Sequence, residues 1–193
     1  SIEKIYNVIG IMSGTSMDGV DCSYLKTDGK SLVSIICESS YKYSINYKNK
    51  LEKIVKDIKT ISKSERNKYI KNNEQIVTNY FAKVIKKFIY ENNIKKKYVD
   101  YIGLSGQTIL HHPKNYISIQ LGSCRKIKNK LGIKIVGNFR QNDINLGGEG
   151  APIGSFYYKY ILDKISKWSN EISELPFNGK VFFCLTKFTD IMP

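Results

Sequence analysis

The sequence contains no CxxC pair, no apolar run near the roughly 20 residues that cross a bilayer, and few acidic side chains. Each shortage removes a class of function. The four cysteines, Cys22, Cys37, Cys124 and Cys184, stand far apart, so neither a structural zinc site nor a redox dithiol is indicated and a reduced, cytosolic protein is expected. No charged n-region with an apolar core opens the chain as a signal peptide would, and no membrane partner is expected. The 17 Asp and Glu are outnumbered by 31 Lys and Arg, a formal net charge of +14. Such an excess suggests a polyanionic partner. The lysines, however, are dispersed among Asn, Ile and Tyr, as in IVKDIKTISKSERNKYIKNNEQ, and the one dense run is Lys95 to Lys97. Without a recognised binding module or a basic face interleaved with aromatics, a nucleic-acid partner is the weaker reading. No internal repeat or low-complexity linker divides the 193 residues, and 41% hydrophobic content suffices for one packed core and a fraction of a second.

What is present is concentrated in two glycine-rich stretches, SGTSMDGVD at Ser13 to Asp21 and FRQNDINLGGEGAP at Phe139 to Pro152. Each follows a run that reads as a buried strand, where α/β proteins place their ligand-handling loops. In the first, Gly14 and Gly19 let the backbone turn and approach a phosphate, and Ser13, Thr15 and Ser16 add hydroxyl donors. Asp18 would repel phosphate directly, so its useful role is to hold magnesium or its waters. The stretch lacks the Gly-Lys-Ser/Thr ending of a Walker A loop, and an ordinary hairpin with an Asp-Gly turn is the competing reading. In the second stretch Asp143 is expected on a loop between a strand end and Gly147, Gly148 and Gly150, its carboxylate suited to acid/base chemistry or to capping the following helix. Arg140 is suited to a substrate carboxylate or to an ion pair with Asp143. Together the two stretches point to phosphoryl transfer onto a hydroxyl.

Hydrophobic patterning places strands at Ile5 to Met12, Val20 to Thr27 and Leu32 to Tyr43, and helices at Tyr47 to Ile58 and Glu65 to Tyr90. Ile76, Tyr80, Phe81, Val84, Ile85 and Phe88 form the apolar stripe of the second helix, with Ser64 as its N-cap. Strands follow at Val99 to Leu104, Tyr116 to Leu121 and Ile133 to Asn138, with helices at Arg125 to Lys130 and Pro152 to Lys164. GQTILHHP at Gly106 to Pro113 reads as a tight turn carrying Gln107, Thr108 and His111. The alternation of strands and helices gives an α/β class.

Four motifs, SGTSMDGVD, GQTILHHP, IQLG at Ile119 to Gly122 and NFRQNDINLGGEGAPI at Asn138 to Ile153, stand in the order found in bacterial anhydro-N-acetylmuramic acid kinases, and the chain resembles that family from about Val8 to Tyr160. The resemblance implies an actin-like ATPase fold (sugar kinase, Hsp70, ribonuclease H-like) with a mixed sheet and flanking helices. It implies ATP and Mg2+ as cofactors, Gly14, Thr15, Ser16, Met17, Asp18, Gly19, Val20 and Asp21 as the nucleotide loop, and Asp18 reaching the metal through water. Asp143 corresponds to the general base. Gln107, Thr108 and His111 correspond to the sugar-binding cleft, to which Arg140 is added as a partner for the lactyl carboxylate. The implied reaction opens the anhydro bridge hydrolytically and phosphorylates the sugar to N-acetylmuramic acid 6-phosphate, in peptidoglycan recycling. Oligomeric state is left open, a homodimer included.

Some positions depart from the family pattern. Ser105 stands where the family has His, Ser123 and Asn138 where it has Asp, and Tyr158 near a family His; His112 also departs and reads as a surface residue. From Trp168 the resemblance stops. Residues 1–167 are therefore expected to form the N-terminal kinase domain and 168–193 a divergent tail, with a second domain and a few residues before Ser1 expected to be missing. On that expectation the 193 residues alone do not turn the sugar over. The alternative is a catalytically inactive remnant, at most a sugar-binding or interaction module.

Overall fold

The computed structural model describes residues 4–30 and 32–151. The expected helix from Pro152, the departure at Tyr158, Cys184, the boundary at 167/168 and the tail beyond it all lie outside the described residues. The chain opens with three antiparallel strands, β1 (Tyr6–Met12), β2 (Gly19–Thr27) and β3 (Val33–Lys42). Two helices follow, α1 (Ile45–Thr60) and α2 (Lys63–Glu91), and then β4 (Tyr101–Leu104), which lies parallel to β1. A separate hairpin, β5 (Gln107–His112) with β6 (Ile117–Leu121), leads through α3 (Cys124–Leu131) to β7 (Ile135–Gly137), parallel to β4, and to α4 (Phe139–Asn145). The main sheet therefore runs β3-β2-β1-β4-β7, antiparallel on one side and parallel on the other.

Only some of the helices start where a side chain satisfies a first-turn N–H. Ser44 caps α1 by accepting from Tyr47 N, which places the start two residues before the expected one. α2 begins after Ser62, not at Ser64; the Ser62 hydroxyl is turned to Glu65 and Ser64 instead of to a backbone N–H. The α2 stripe is centred on Val77, Phe81, Ile85 and Phe88, all at most 1% exposed, whereas Ile76, expected in it, is 41% exposed. A rotation of about 100° per residue explains this, since Ile76 sits on the flank of a face that Val77 occupies.

The core is the seam between sheet and helices. Ile9 and Ile11 of β1 and Ile102 and Leu104 of β4 pack with Leu51, Ile54 and Ile58 of α1 and the α2 stripe. Each such side chain, fully buried, contributes about 1.5–3 kcal/mol. This packing fixes β1 and β4 side by side, and with β7 they end on one edge of the sheet. Loops at that edge are the usual ligand site of a parallel sheet.

Candidate functional site

Three parallel strands end in three polar segments: β1 in Ser13 to Asp18, β4 in Ser105 and Gly106, and β7 in Asn138 and α4. The first two are tied together. Ser105 N donates to Ile11 O at 3.1 Å, and Ser13 N donates to Ser105 Oγ at 3.3 Å. Ser13 itself is 3% exposed and its hydroxyl donates to Gln107 Oε1 at 2.6 Å. The Tyr43 hydroxyl lies 2.7 Å from Ser13 Oγ and donates to Gln107 Oε1 at 3.0 Å, while Gln107 Nε2 donates to Gly14 O at 3.3 Å. Gln107 is wholly buried. Its amide is thus engaged within the protein, and its place is to anchor the first loop. Tyr43 stacks edge-on to Tyr47 and Tyr80, which lie parallel at 4.0 Å between centroids. Burial pushes the Tyr43 hydroxyl up to about 12, so it stays protonated and able to donate.

From this anchor the loop turns sharply. Met17 N donates to Gly14 O at 3.3 Å, with Met17 in the left-handed region at φ 53. Thr15 and Ser16 are exposed at the tip, and their backbone N–H groups donate to no other described residue. Two unpartnered amides beside the Thr15 hydroxyl form a donor set that suits phosphate oxygens. Asp18 is exposed; its carboxylate takes a hydrogen bond from Lys48 Nζ at 2.9 Å, and this with a bond from Ser16 holds it below the usual carboxylate range. Among the described residues no three His, Cys, Asp or Glu converge, so a magnesium ion beside Asp18 would keep most of its water shell. The remaining residues of the stretch belong to β2. Gly19 is required by close packing, because a Cβ there would collide with Tyr41 O. Val20 is core, and Asp21 accepts from the Ser40 hydroxyl at 2.5 Å.

The second polar group lies on the hairpin, which was expected as a turn but forms a strand because Ile109 and Leu110 are buried. Thr108, 7% exposed, accepts from Gln120 Nε2 at 3.4 Å, Gln120 Nε2 also donates to Ser118 Oγ at 2.7 Å, and Ser118 Oγ lies 3.0 Å from His111 Nδ1. Burial, and then the Arg140 charge, hold the His111 imidazole below its ordinary value, so it is neutral at neutral pH. α4 is locked to this hairpin: Gln141 accepts from Ser118 N at 2.9 Å and donates to Tyr116 O at 3.2 Å.

Asp143 lies in the last turn of α4 and not on a loop. The seven residues after Asn138 wind into a helix, and Asn138 starts it from a left-handed conformation at φ 64. Asp143 Oδ2 accepts from Gly150 N at 2.7 Å, which folds the Gly147 to Gly150 loop back over the helix end and leaves Oδ1 without a described partner. A Cβ at Gly148 would displace the Asp143 carboxylate from this position. Arg140 does not pair with Asp143. Its Nη1 donates to Gly150 O at 2.8 Å, and its buried Nε has no hydrogen-bond partner. The structure therefore gathers Thr108, His111, Ser118, Gln120 and Arg140 beside Asp143's loop, and Ser13 to Asp18 with Gln107 at the adjoining strand end. Ser105, Ser118, Gln120 and Gln141 were not expected in these roles. The alternation in Ile117 to Leu121 puts Ser118 and Gln120 on one face and is the signal that identifies them.

A mixed sheet in the order β3-β2-β1-β4-β7, with a glycine-rich turn between β1 and β2 and flanking helices, is that of a domain of the actin-like, sugar kinase ATPase class. Sequence comparison narrows the class. The chain matches the profile of the anhydro-N-acetylmuramic acid kinase family over residues 6–170 and belongs to that family. It is similar to the anhydro-N-acetylmuramic acid kinase of Pelagibacter ubique, at 36% identity over 84% of this chain and 43% of the relative. Those of Sulfurimonas denitrificans, at 34% identity over 82% and 42%, and Brucella suis, at 33% over 78% and 40%, are similar in the same way. The chain thus spans about two fifths of the length of the curated relatives it matches. No helix among the described residues is long and apolar enough to cross a membrane.

Proposed function

We propose that this chain supplies the phosphate loop and the general base of an ATP-dependent, cytoplasmic anhydro-N-acetylmuramic acid kinase that serves peptidoglycan recycling. The observation that carries the reading is the edge where β1, β4 and β7 end: unpartnered Thr15 and Ser16 amides stand at one strand end, and an exposed Asp143 follows another. ATP, with Mg2+, supplies the phosphoryl group when bound. The Thr15 and Ser16 amides and the Thr15 hydroxyl hold phosphate oxygens while Gln107, Ser13 and Tyr43 fix the loop beneath them. Asp18 with Lys48 lies where it can order magnesium-bound water.

At the sugar, Asp143 Oδ1 takes a proton from the water that attacks the anomeric carbon. A C–O bond forms there as the anhydro bridge breaks, and the oxygen released from the bridge accepts the phosphoryl group, giving N-acetylmuramic acid 6-phosphate. Oδ2 stays on Gly150 N, so the base is oriented by its own loop. Neutral His111, Thr108 and the half-buried Arg140 carry the donors and acceptors that sugar hydroxyl, amide and carboxylate groups require.

A second reading, a sugar-binding module without turnover, is favoured by Ser105. It stands at the family's His position, and its hydroxyl is engaged by Ser13 N and Gly106 O. One experiment separates the two. The chain, alone and together with the portion of a relative that the match does not cover, is assayed for ADP release dependent on the anhydro sugar. Sugar-dependent release that disappears in Asp143→Asn supports the kinase. Sugar binding by calorimetry without release in either arm supports the module. Absence of both ATP and sugar binding overturns both.

A further inference from the structure

Beyond the proposed kinase site, the described residues contain a cavity of about 580 Å³ between the α1–α2 junction and the tip of the hairpin. It is lined by Lys59 from the last turn of α1, Lys63 and Arg66 from the first turn of α2, and Lys114 from the 3-10 turn Pro113–Asn115. No acidic residue lines it. The nearest acids in sequence are already engaged, Asp57 with Lys53 and Tyr69 and Glu65 with Ser62. Among the described residues none of the four cations is ion-paired. Arg66 Nε is buried and has no hydrogen-bond partner. Four like charges around one concavity repel one another, and an anion filling the space relieves that repulsion.

The remaining walls say what kind of anion. Leu110 and Ile117 form an apolar floor, and the rim carries the Tyr116 ring, 73% exposed and held out by a left-handed backbone at φ 55. A volume of this size matches small-ligand pockets, which run from about 300 to 1,000 Å³, and is too confined for a nucleic-acid track. His111 and Ser118 pair across the hairpin, and Leu110, His112 and Ile117 alternate with them. The cavity therefore opens on the opposite face of the hairpin from the polar row assigned to the sugar.

We propose that this cavity is a second anion site, for a small ligand bearing a diphosphate group, with the Tyr116 ring available to stack on an attached base or sugar. The proposal does not depend on the kinase reading. Calorimetric titration of the full 193-residue chain with pyrophosphate and with ADP tests it, using Lys63→Ala/Arg66→Gln, Lys114→Glu and Gly14→Val variants. The expected result is saturable one-to-one pyrophosphate binding that weakens at least tenfold in each cavity variant, weakens with added salt, and persists in Gly14→Val. Lys114 is exposed, so its variant retains the fold and keeps the test valid if the double variant does not. ADP binding in the Gly14→Val background that exceeds pyrophosphate binding and falls in Tyr116→Ala identifies a nucleotide; equal binding identifies the diphosphate group alone. Binding lost in Gly14→Val but kept in the cavity variants, or no binding at millimolar pyrophosphate, overturns the proposal.

Discussion

Replacing Gln107 by Leu tests whether the phosphate loop is held from beneath by a buried polar knot. In the native protein Gln107 Oε1 accepts from Ser13 and Tyr43, and Nε2 donates to Gly14 O. Leu fills similar volume but can do neither. Ser13 Oγ and Tyr43 OH remain 2.7 Å apart and still bond each other, so one of their two protons is left without an acceptor, at about 1–3 kcal/mol. Gly14 O keeps its bond from Met17 N and loses roughly 0.5–1.5 kcal/mol. The expected destabilisation is about 2–4 kcal/mol, which lowers Tm by on the order of 10 °C for a chain of this size. Urea unfolding followed by circular dichroism measures it. Tyr43→Phe should cost about 1 kcal/mol alone, and adding it to Gln107→Leu should cost less than the sum, because the orphaned hydroxyl is the one removed. ATP affinity should fall with Gln107→Leu even well below the melting range. A loss under about 0.5 kcal/mol, the range of an ordinary surface change, with additive Tyr43→Phe, would refute the knot as the anchor of the loop.

The other predictions concern the chemistry directly. Asp143→Asn keeps an oxygen for Gly150 N but cannot take a proton, so in an active assembly turnover should fall about 100 to 10,000-fold with ATP affinity unchanged by calorimetry. Gly148→Ala should reduce turnover through the same carboxylate, since its Cβ displaces Asp143; sugar titration and circular dichroism should show the rest of the domain intact. A Cβ at Gly14 reaches Ser16 Oγ at 3.4 Å and is tolerated, so Gly14→Ala should bind ATP nearly normally while the branched Gly14→Val binds it weakly; equal loss in both would mean that the turn itself is broken. For His111, burial and Arg140 depress the folded pKa below the unperturbed 6.5. The unfolded chain therefore binds the proton first, and stability should fall as pH drops from about 6.5 through the lower folded value. An NMR titration midpoint at or above 6.5 would contradict the placement of His111 beside Arg140.

The fold was legible because it rests on periodicity. Apolar β-branched runs at Ile5 to Met12 and Val20 to Thr27 and the three- and four-residue spacing of α2 are local signals, and they recur in the structure within two residues. The β5 strand was hidden because Gly106 and Pro113 bracket only six residues, with a bulge between Thr108 and Leu110 that breaks strict alternation. The helical position of Asp143 was hidden for a different reason: Asn138 is a residue type that caps helices, but it opens α4 from a left-handed conformation and its side chain makes no capping bond, and the seven-residue helix is too short to show a periodic apolar face. Side-chain partners were the least legible part. Tyr43 reaches Ser13 across 30 residues and Gln107 reaches it across 94, and nothing in the spacing of either records the contact. The site residues of a family motif therefore divide by a physical criterion that sequence does not carry. Gln107 is wholly buried and its amide engaged, so in the proposed kinase it would serve the ligand through the loop it holds, whereas the Thr15 and Ser16 amides and Asp143 Oδ1 keep unengaged donors and an acceptor that would meet the ligand directly.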